Sequence, residues 1–210
     1  MTGRRKGIVI LISGRGSNMQ AIVEQAQQGR LPIDVRAIIS NNPDAGIPTE
    51  AISHRDFPGR ESFDQALMAA IDAYRPDLVV LAGFMRILGR KLVDHYAGRL
   101  INIHPALLPD FPGLDTHARA LAAGHPRHGA TVHFVINEVD SGPIIAQAAV
   151  DVKPGDDPDT LAARVLEQEH RIYPLAIRWF AEGRLSIQGG EVLLDGARRP
   201  EQGLVEPADS

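Results

Sequence analysis

Apolar residues along this chain come in two rhythms, and the order in which they alternate predicts the architecture. Gly7 to Ser13 (GIVILIS) is continuously apolar, the pattern of a strand buried on both faces rather than one. After Gly14-Arg15-Gly16-Ser17-Asn18, the apolar positions Met19, Ile22, Val23 and Ala26 recur at helical spacing, and Gly29 closes the helix. Val35 to Ile39 returns to a strand pattern and ends at Ser40-Asn41-Asn42-Pro43. Strand, helix, strand is a βαβ unit, so the sheet is parallel here. A short strand is expected near Thr49 to Ile52 and a helix over Glu61 to Tyr74, with Phe63, Leu67, Ala70, Ile71 and Tyr74 on one face. Leu78 to Ala82 is a further buried strand, Lys91 to Tyr96 a short helix, and Leu100 to Pro105 (LINIHP) a strand stopped by proline.

Beyond residue 105 the rhythm changes. A proline-containing loop leads to a helix over Thr116 to Ala123, and His125 to Gly129 reads as a turn. Ala130 to Val139 alternates, which predicts a strand with one face less buried, and Ile144 to Val152 returns after the turn Asp140-Ser141-Gly142-Pro143. This hairpin marks an antiparallel edge on a parallel sheet. Thr160 to Ala181 is a long helix with Pro174 inside it, and Leu185 to Leu194 is a small hairpin around Gly189-Gly190. The fold class is therefore α/β: a mostly parallel, doubly wound, Rossmann-like sheet with an antiparallel edge hairpin and a long C-terminal helix. Residues 1–197 read as a single domain, with halves at about 7–100 and 101–197, and 198–210 as a flexible tail.

Composition narrows the chemistry. The 210 residues contain no cysteine, which removes disulfides, thiolate catalysis and cysteine-ligated metals together. A net charge of −4 gives no general attraction to nucleic acid or to anionic membrane. The only apolar run near the start, Ile8 to Ile12, is too short for a signal or spanning segment, so the expected compartment is the cytoplasm.

Two places carry candidate chemistry. Gly14 to Asn18 lies between the first strand and the first helix, where open α/β sheets bind phosphate. A dinucleotide fingerprint would need a third glycine where Met19 stands and a carboxylate near Ser40-Asn41-Asn42, so a site for one phosphate fits better. The competing reading is a glycine turn capped by Ser17 or Asn18 with no ligand. On the strand before Pro105, Asn102 and His104 are two residues apart and share a face. An amide that can hold an oxyanion beside an imidazole that can move protons suits acyl transfer, although both could instead satisfy a strand end. Asp140 is a candidate partner for His104, against an ordinary role in its turn. His125 and His128 fit no metal motif, His133 reads as a structural residue, and Glu167 to His170 as a solvated helix face.

Several motifs then occur in a fixed order: SGRGSN, LAGFMRIL, INIHPALLP, HGATVHFV, VDSGPIIAQ and QEHRIYP. Taken together the chain resembles the phosphoribosylglycinamide formyltransferase family of folate-dependent enzymes. The resemblance implies transfer of a formyl group from 10-formyltetrahydrofolate to the amine of glycinamide ribonucleotide in purine biosynthesis, without a metal. It implies that Gly16, Ser17 and Asn18 take the substrate phosphate, that Glu169 takes the ribose hydroxyls, and that Asn102, His104 and Asp140 are catalytic. Arg60, Met85, Arg86, Ile87, Leu88, Asn102, Ile136, Asn137, Glu138, Val139 and Asp140 are implied around the folate, with the loop from Pro109 to about Gly129 mobile. Small-molecule partners, no nucleic acid or membrane, and a monomer or homodimer complete the expectation. The chain departs from the family's pattern in lacking a helix between Asp44-Ala45 and Gly46-Ile47-Pro48. Ser141 stands where glycine is common, and Asp115 where histidine is frequent. A formyltetrahydrofolate hydrolase, a methionyl-tRNA formyltransferase, a dinucleotide-dependent oxidoreductase and a non-catalytic nucleotide-binding module are the rivals. The first two usually carry an additional domain, whereas here the first strand begins at Gly7 and the chain ends soon after the long helix.

Overall fold

The most apolar stretch of the chain forms the centre of the first of two compact units, residues 1–102 and 103–210. The computed structural model describes residues 4–14, 16–45, 49–198, 202 and 204–205. In the first unit, β1 (Lys6–Ile12) is flanked by β2 (Ile33–Ser40) on one side and β4 (Leu78–Leu81) on the other, all parallel. Beyond them lie β3 (Glu50–Ala51), paired with β2, and β5 (Leu100–His104), whose residues Leu100 to Asn102 pair with Val79 to Leu81. Ile8 to Ile12 are fully buried, as expected of a strand sandwiched on both faces. Helices α1 (Ser17–Gln27), α2 (Arg60–Ala73) and α3 (Arg90–His95) supply the connections, and α2 buries Phe63, Leu67 and Ile71 along one stripe. The strand order reverses between β1 and β4, so the carboxyl ends of these two strands form the crevice where open α/β sheets bind ligands.

In the second unit, β6 (Arg127–Phe134) and β7 (Ile144–Asp151) are antiparallel, and α5 (Pro158–Ala181) packs on both while α4 (Thr116–Ala122) packs on α5. Asp157 caps α5 by accepting the Thr160 N–H at 2.8 Å, and Pro158 occupies the first turn, where no N–H is needed. Pro174 lies buried within the helix. β8 (Leu185–Gln188) and β9 (Glu191–Leu194) form the second hairpin, with Gly189 and Gly190 both at positive φ as a two-residue turn requires.

Four expectations are corrected. β6 starts at Arg127 and stops at Phe134, so His128 belongs to a strand, and Ile136 to Val139 lie in a loop. It is also buried nearly throughout, because α5 covers it; the alternation of Ala130 to Val139 therefore does not mark a solvent face. The β6–β7 hairpin is not the sheet edge, since β10 (Leu204–Val205) pairs in parallel with Gln147 and Ala148 of β7. That strand, and a buried Gln202 donating to Val192 O at 3.0 Å, lie where a frayed tail is expected. The short connection at 44–49 includes residues 46–48, which lie outside the described residues.

Candidate active site

In the first unit, the crevice at the strand reversal is a cavity of about 340 Å³ lined by Ser13, Gly14, Gly16, Ser17, Asn18, Ala82, Gly83 and Met85. Gly16 sets its shape. It is the residue preceding α1, at φ 69° and ψ 42°, and a Cβ there would come within 2.9 Å of Met19 Cε. This left-handed conformation lets the chain turn from β1 into the helix, and it favours glycine. The N-cap position falls on Gly16, which has no side chain, so Ser17 and Asn18 lie inside the first turn of α1 rather than at its cap. The start of α1 faces this cavity through Ser17 and Asn18, and a helix N-terminus is where backbone N–H groups attract an anion.

The cavity wall is held by a polar relay that sequence reading did not single out. Ser13 Oγ donates to Asn41 Oδ1 at 2.5 Å and accepts the Met85 N–H at 2.8 Å. Asn41 in turn meets His54 Nδ1 at 3.3 Å through its side-chain amide. Ser13 thus ties the end of β1 to the segment Met85–Leu88. That segment exposes the large apolar side chains of Met85 and Ile87 (68% and 65%). Arg86 and Arg60 are also exposed, the latter at the start of α2. Asn102 is half-buried on β5, in register with Leu81.

In the second unit, His104 is buried, and each ring nitrogen faces an acceptor. Nε2 lies 2.9 Å from the Phe111 carbonyl oxygen and Nδ1 lies 3.4 Å from Asp140 Oδ2. A carbonyl and a carboxylate only accept, so a ring carrying both protons can donate to each. Asp140 is fixed independently: Oδ2 accepts the Gly113 N–H at 2.8 Å, and Oδ1 stands 3.9 Å from His133 Nε2. The Asp140 turn fits because Gly142 has no side chain; a Cβ there would run into the Phe134 carbonyl. Burial holds the pKa of His133 below the usual imidazole range, with the Phe134 carbonyl and Asp140 pulling the other way. His133 is therefore more than the satisfied strand residue its position suggests, since its second nitrogen faces Asp140.

The remaining predicted residues divide. Glu169 is buried on α5, as is Gln168, so the solvated-face reading of this stretch is wrong for both. Ile136, Asn137, Glu138 and Val139 are exposed in the loop that ends at Asp140. Among the described residues, no group of three or more His, Asp or Glu is arranged to hold a metal ion. No helix among them is long and apolar enough to cross a membrane.

A cavity at the start of α1 and a buried histidine–carboxylate contact are the features a catalytic site would use, and the comparisons give the class of protein. A family model described as formyl transferase matches residues 6–177. The phosphoribosylglycinamide formyltransferase of Escherichia coli strain K12 is 52% identical over 205 residues, covering 93% of this chain and 97% of that protein. The solved structure of the phosphoribosylglycinamide formyltransferase of Coxiella burnetii superposes with a TM-score of 0.90 at 49% identity, over 97% of this chain and 100% of that one. A formyltetrahydrofolate deformylase from Pseudomonas syringae is more distant, at 26% identity and a TM-score of 0.82, covering 92% of this chain and 67% of that one. The chain belongs to the formyl transferase family, and within it to the phosphoribosylglycinamide formyltransferases.

Proposed function

We propose that the protein transfers the formyl group of 10-formyltetrahydrofolate to the amine of glycinamide ribonucleotide, with His104 as general acid. The observation that carries this reading is the contact of His104 Nδ1 with Asp140, which leaves Nε2 to exchange the Phe111 carbonyl for the reacting groups during turnover. The amine attacks the formyl carbon, a carbon–nitrogen bond forms, and the carbonyl electrons move to oxygen. The Asn102 amide and the doubly protonated His104 stabilise that oxygen, each such donor contributing about 2.7–4 kcal/mol in related chemistry. Collapse expels the folate nitrogen, which takes a proton from His104, while the proton lost by the amine returns to the site through Asp140 or water. The formyl carbon is already activated, so the steps run without a covalent enzyme intermediate.

Binding follows the same assignment. Gly16, Ser17 and Asn18 hold the phosphate, and Glu169 the ribose hydroxyls. Arg60, Met85, Arg86, Ile87, Leu88, Asn102 and the run Ile136, Asn137, Glu138, Val139, Asp140 surround the folate. The cavity lined by Gly16, Ser17 and Asn18 at the start of α1 supports the first assignment, and the exposed apolar side chains of Met85 and Ile87 the last.

His104→Ala tests the reading. Wild type is expected to form the N-formyl product from both substrates, and the variant to lose on the order of 10³-fold in turnover while keeping its thermal midpoint. Turnover within a few-fold of wild type would remove His104 from the mechanism.

A further inference from the structure

The segment between Met85 and Leu88 has no helix or strand of its own, yet it is pinned at both ends by side chains from elsewhere in the first unit. Met85 N–H donates to Ser13 Oγ at one end, and Gly89 N–H donates to Asp64 Oδ2 at 2.7 Å at the other. The second pin is the unexpected one, because Asp64 breaks the pattern of α2. It lies beside Phe63, Leu67 and Ile71 on the buried face and is only 6% exposed. An apolar residue would fill that place without the desolvation cost of a carboxylate. Asp64 Oδ1 has no hydrogen-bond partner among the described residues, so the group is retained despite being half satisfied. Burial raises its pKa above the ordinary carboxylate range, outweighing the Gly89 N–H and the nearby charges of Arg60 and Arg86.

Gly89 is matched to this carboxylate. Its backbone, at φ −77° and ψ 158°, is one any residue adopts, so conformation does not demand glycine. The close approach does: a Cβ would stand 2.5 Å from Asp64 Oδ2, and the only other atom it would meet within 4 Å is Cγ of the same carboxylate. A polar residue in an apolar stripe and a glycine that exists to receive it are a local exception of the sort that function selects.

We propose that Asp64, acting through Gly89, is a positioning residue that holds Met85–Leu88 as a preformed platform and thereby sets the affinity for the folate donor. The proposal rests on the folate reading of Met85–Leu88 given above. Ser13 fixes the other end but also lines the phosphate cavity, so Asp64 is the cleaner place to test it.

Steady-state kinetics with both substrates, and calorimetric titration with tetrahydrofolate, are measured on wild type and variants. Asp64→Ala is expected to raise the donor KM and the tetrahydrofolate Kd roughly tenfold, with kcat and the KM of glycinamide ribonucleotide within about twofold. Asp64→Asn, whose amide oxygen still accepts the Gly89 N–H, is expected to restore most of the affinity. Gly89→Ala should match Asp64→Ala, and the double variant should be no weaker than Asp64→Ala, because the added methyl then has nothing to meet. Equal rises in KM for both substrates, an Asp64→Asn as weak as Asp64→Ala, or additive losses in the double variant would overturn the proposal. If Asp64→Ala does not fold, Asp64→Asn and Gly89→Ala give the same comparison from either side of the contact. A wild-type protein that binds tetrahydrofolate but transfers no formyl group contradicts the proposed function, and the titration still decides the role of Asp64.

Discussion

Asp140 works from a backbone conformation that few side chains accept. Its φ of 52° lies in the left-handed region, where Asp and Asn are the least strained of the non-glycine residues. Asp140→Asn is therefore a substitution the turn tolerates, and its amide oxygen can keep the Gly113 N–H bond. What it removes is the negative charge 3.4 Å from His104 Nδ1. We predict a loss of roughly 10²–10⁴-fold in kcat, with both KM values and the thermal midpoint nearly unchanged; a kcat within a few-fold of wild type would mean that the contact is structural only. This residue also shows what sequence carries and what it withholds. Asn102 and His104 can be placed on one strand face from their spacing alone, and Asp140 can be named as a partner. That it reaches the imidazole depends on Gly142 in its own turn and on Gly113, 27 residues earlier, and both look like ordinary turn residues. Asp64 is further still from view, since an aspartate in a helix reads as solvated until its neighbour Gly89, on another element, is known.

At the scale of elements, the chain's apolar runs locate β1, β2, β4 and β5 within a residue or two, because a short run rich in β-branched residues and bounded by turn residues reads as a strand. β6 is where the same logic fails. Ile136 and Val139 continue its apolar spacing but are exposed, and Arg127 and His128 break the spacing but belong to the strand. His128 is fully covered there, 3.2 Å from His117 on α4, and burial foremost, with the charge of His117 next, lowers its pKa from 6.5 to about 4. A histidine pKa lowered by folding stabilises the native state above the unfolded value of 6.5, and that stability is lost as pH falls toward 4. His117 and His133 shift in the same direction, so they add to the loss. Urea unfolding of wild type should therefore show a marked drop in stability between pH 7.5 and 5.0, of which His128 contributes roughly 2 kcal/mol. His128→Gln, which does not titrate, should lose less over the same interval. Equal losses in the two proteins would show that His128 is not the acid-sensitive group.

For the molecule as a whole, the two units carry separable parts of the account. The first holds the proposed phosphate cradle and the proposed Met85–Leu88 platform, and the second the His104–Asp140 contact and the buried Glu169. The boundary falls inside β5, between Asn102 and Ile103, so one short strand supplies a proposed catalytic side chain to each. Family membership is legible because six motifs keep their order along the chain; no single motif has that power. Transfer to an amine is the central claim, and the 26% identical deformylase with the same fold marks the alternative. The most direct measurement is the rate of tetrahydrofolate release from 10-formyltetrahydrofolate as glycinamide ribonucleotide is titrated from zero to saturation. Release that starts near zero without the amine and rises to match formation of the N-formyl product is the predicted result. Release at the full rate with no amine present would contradict it.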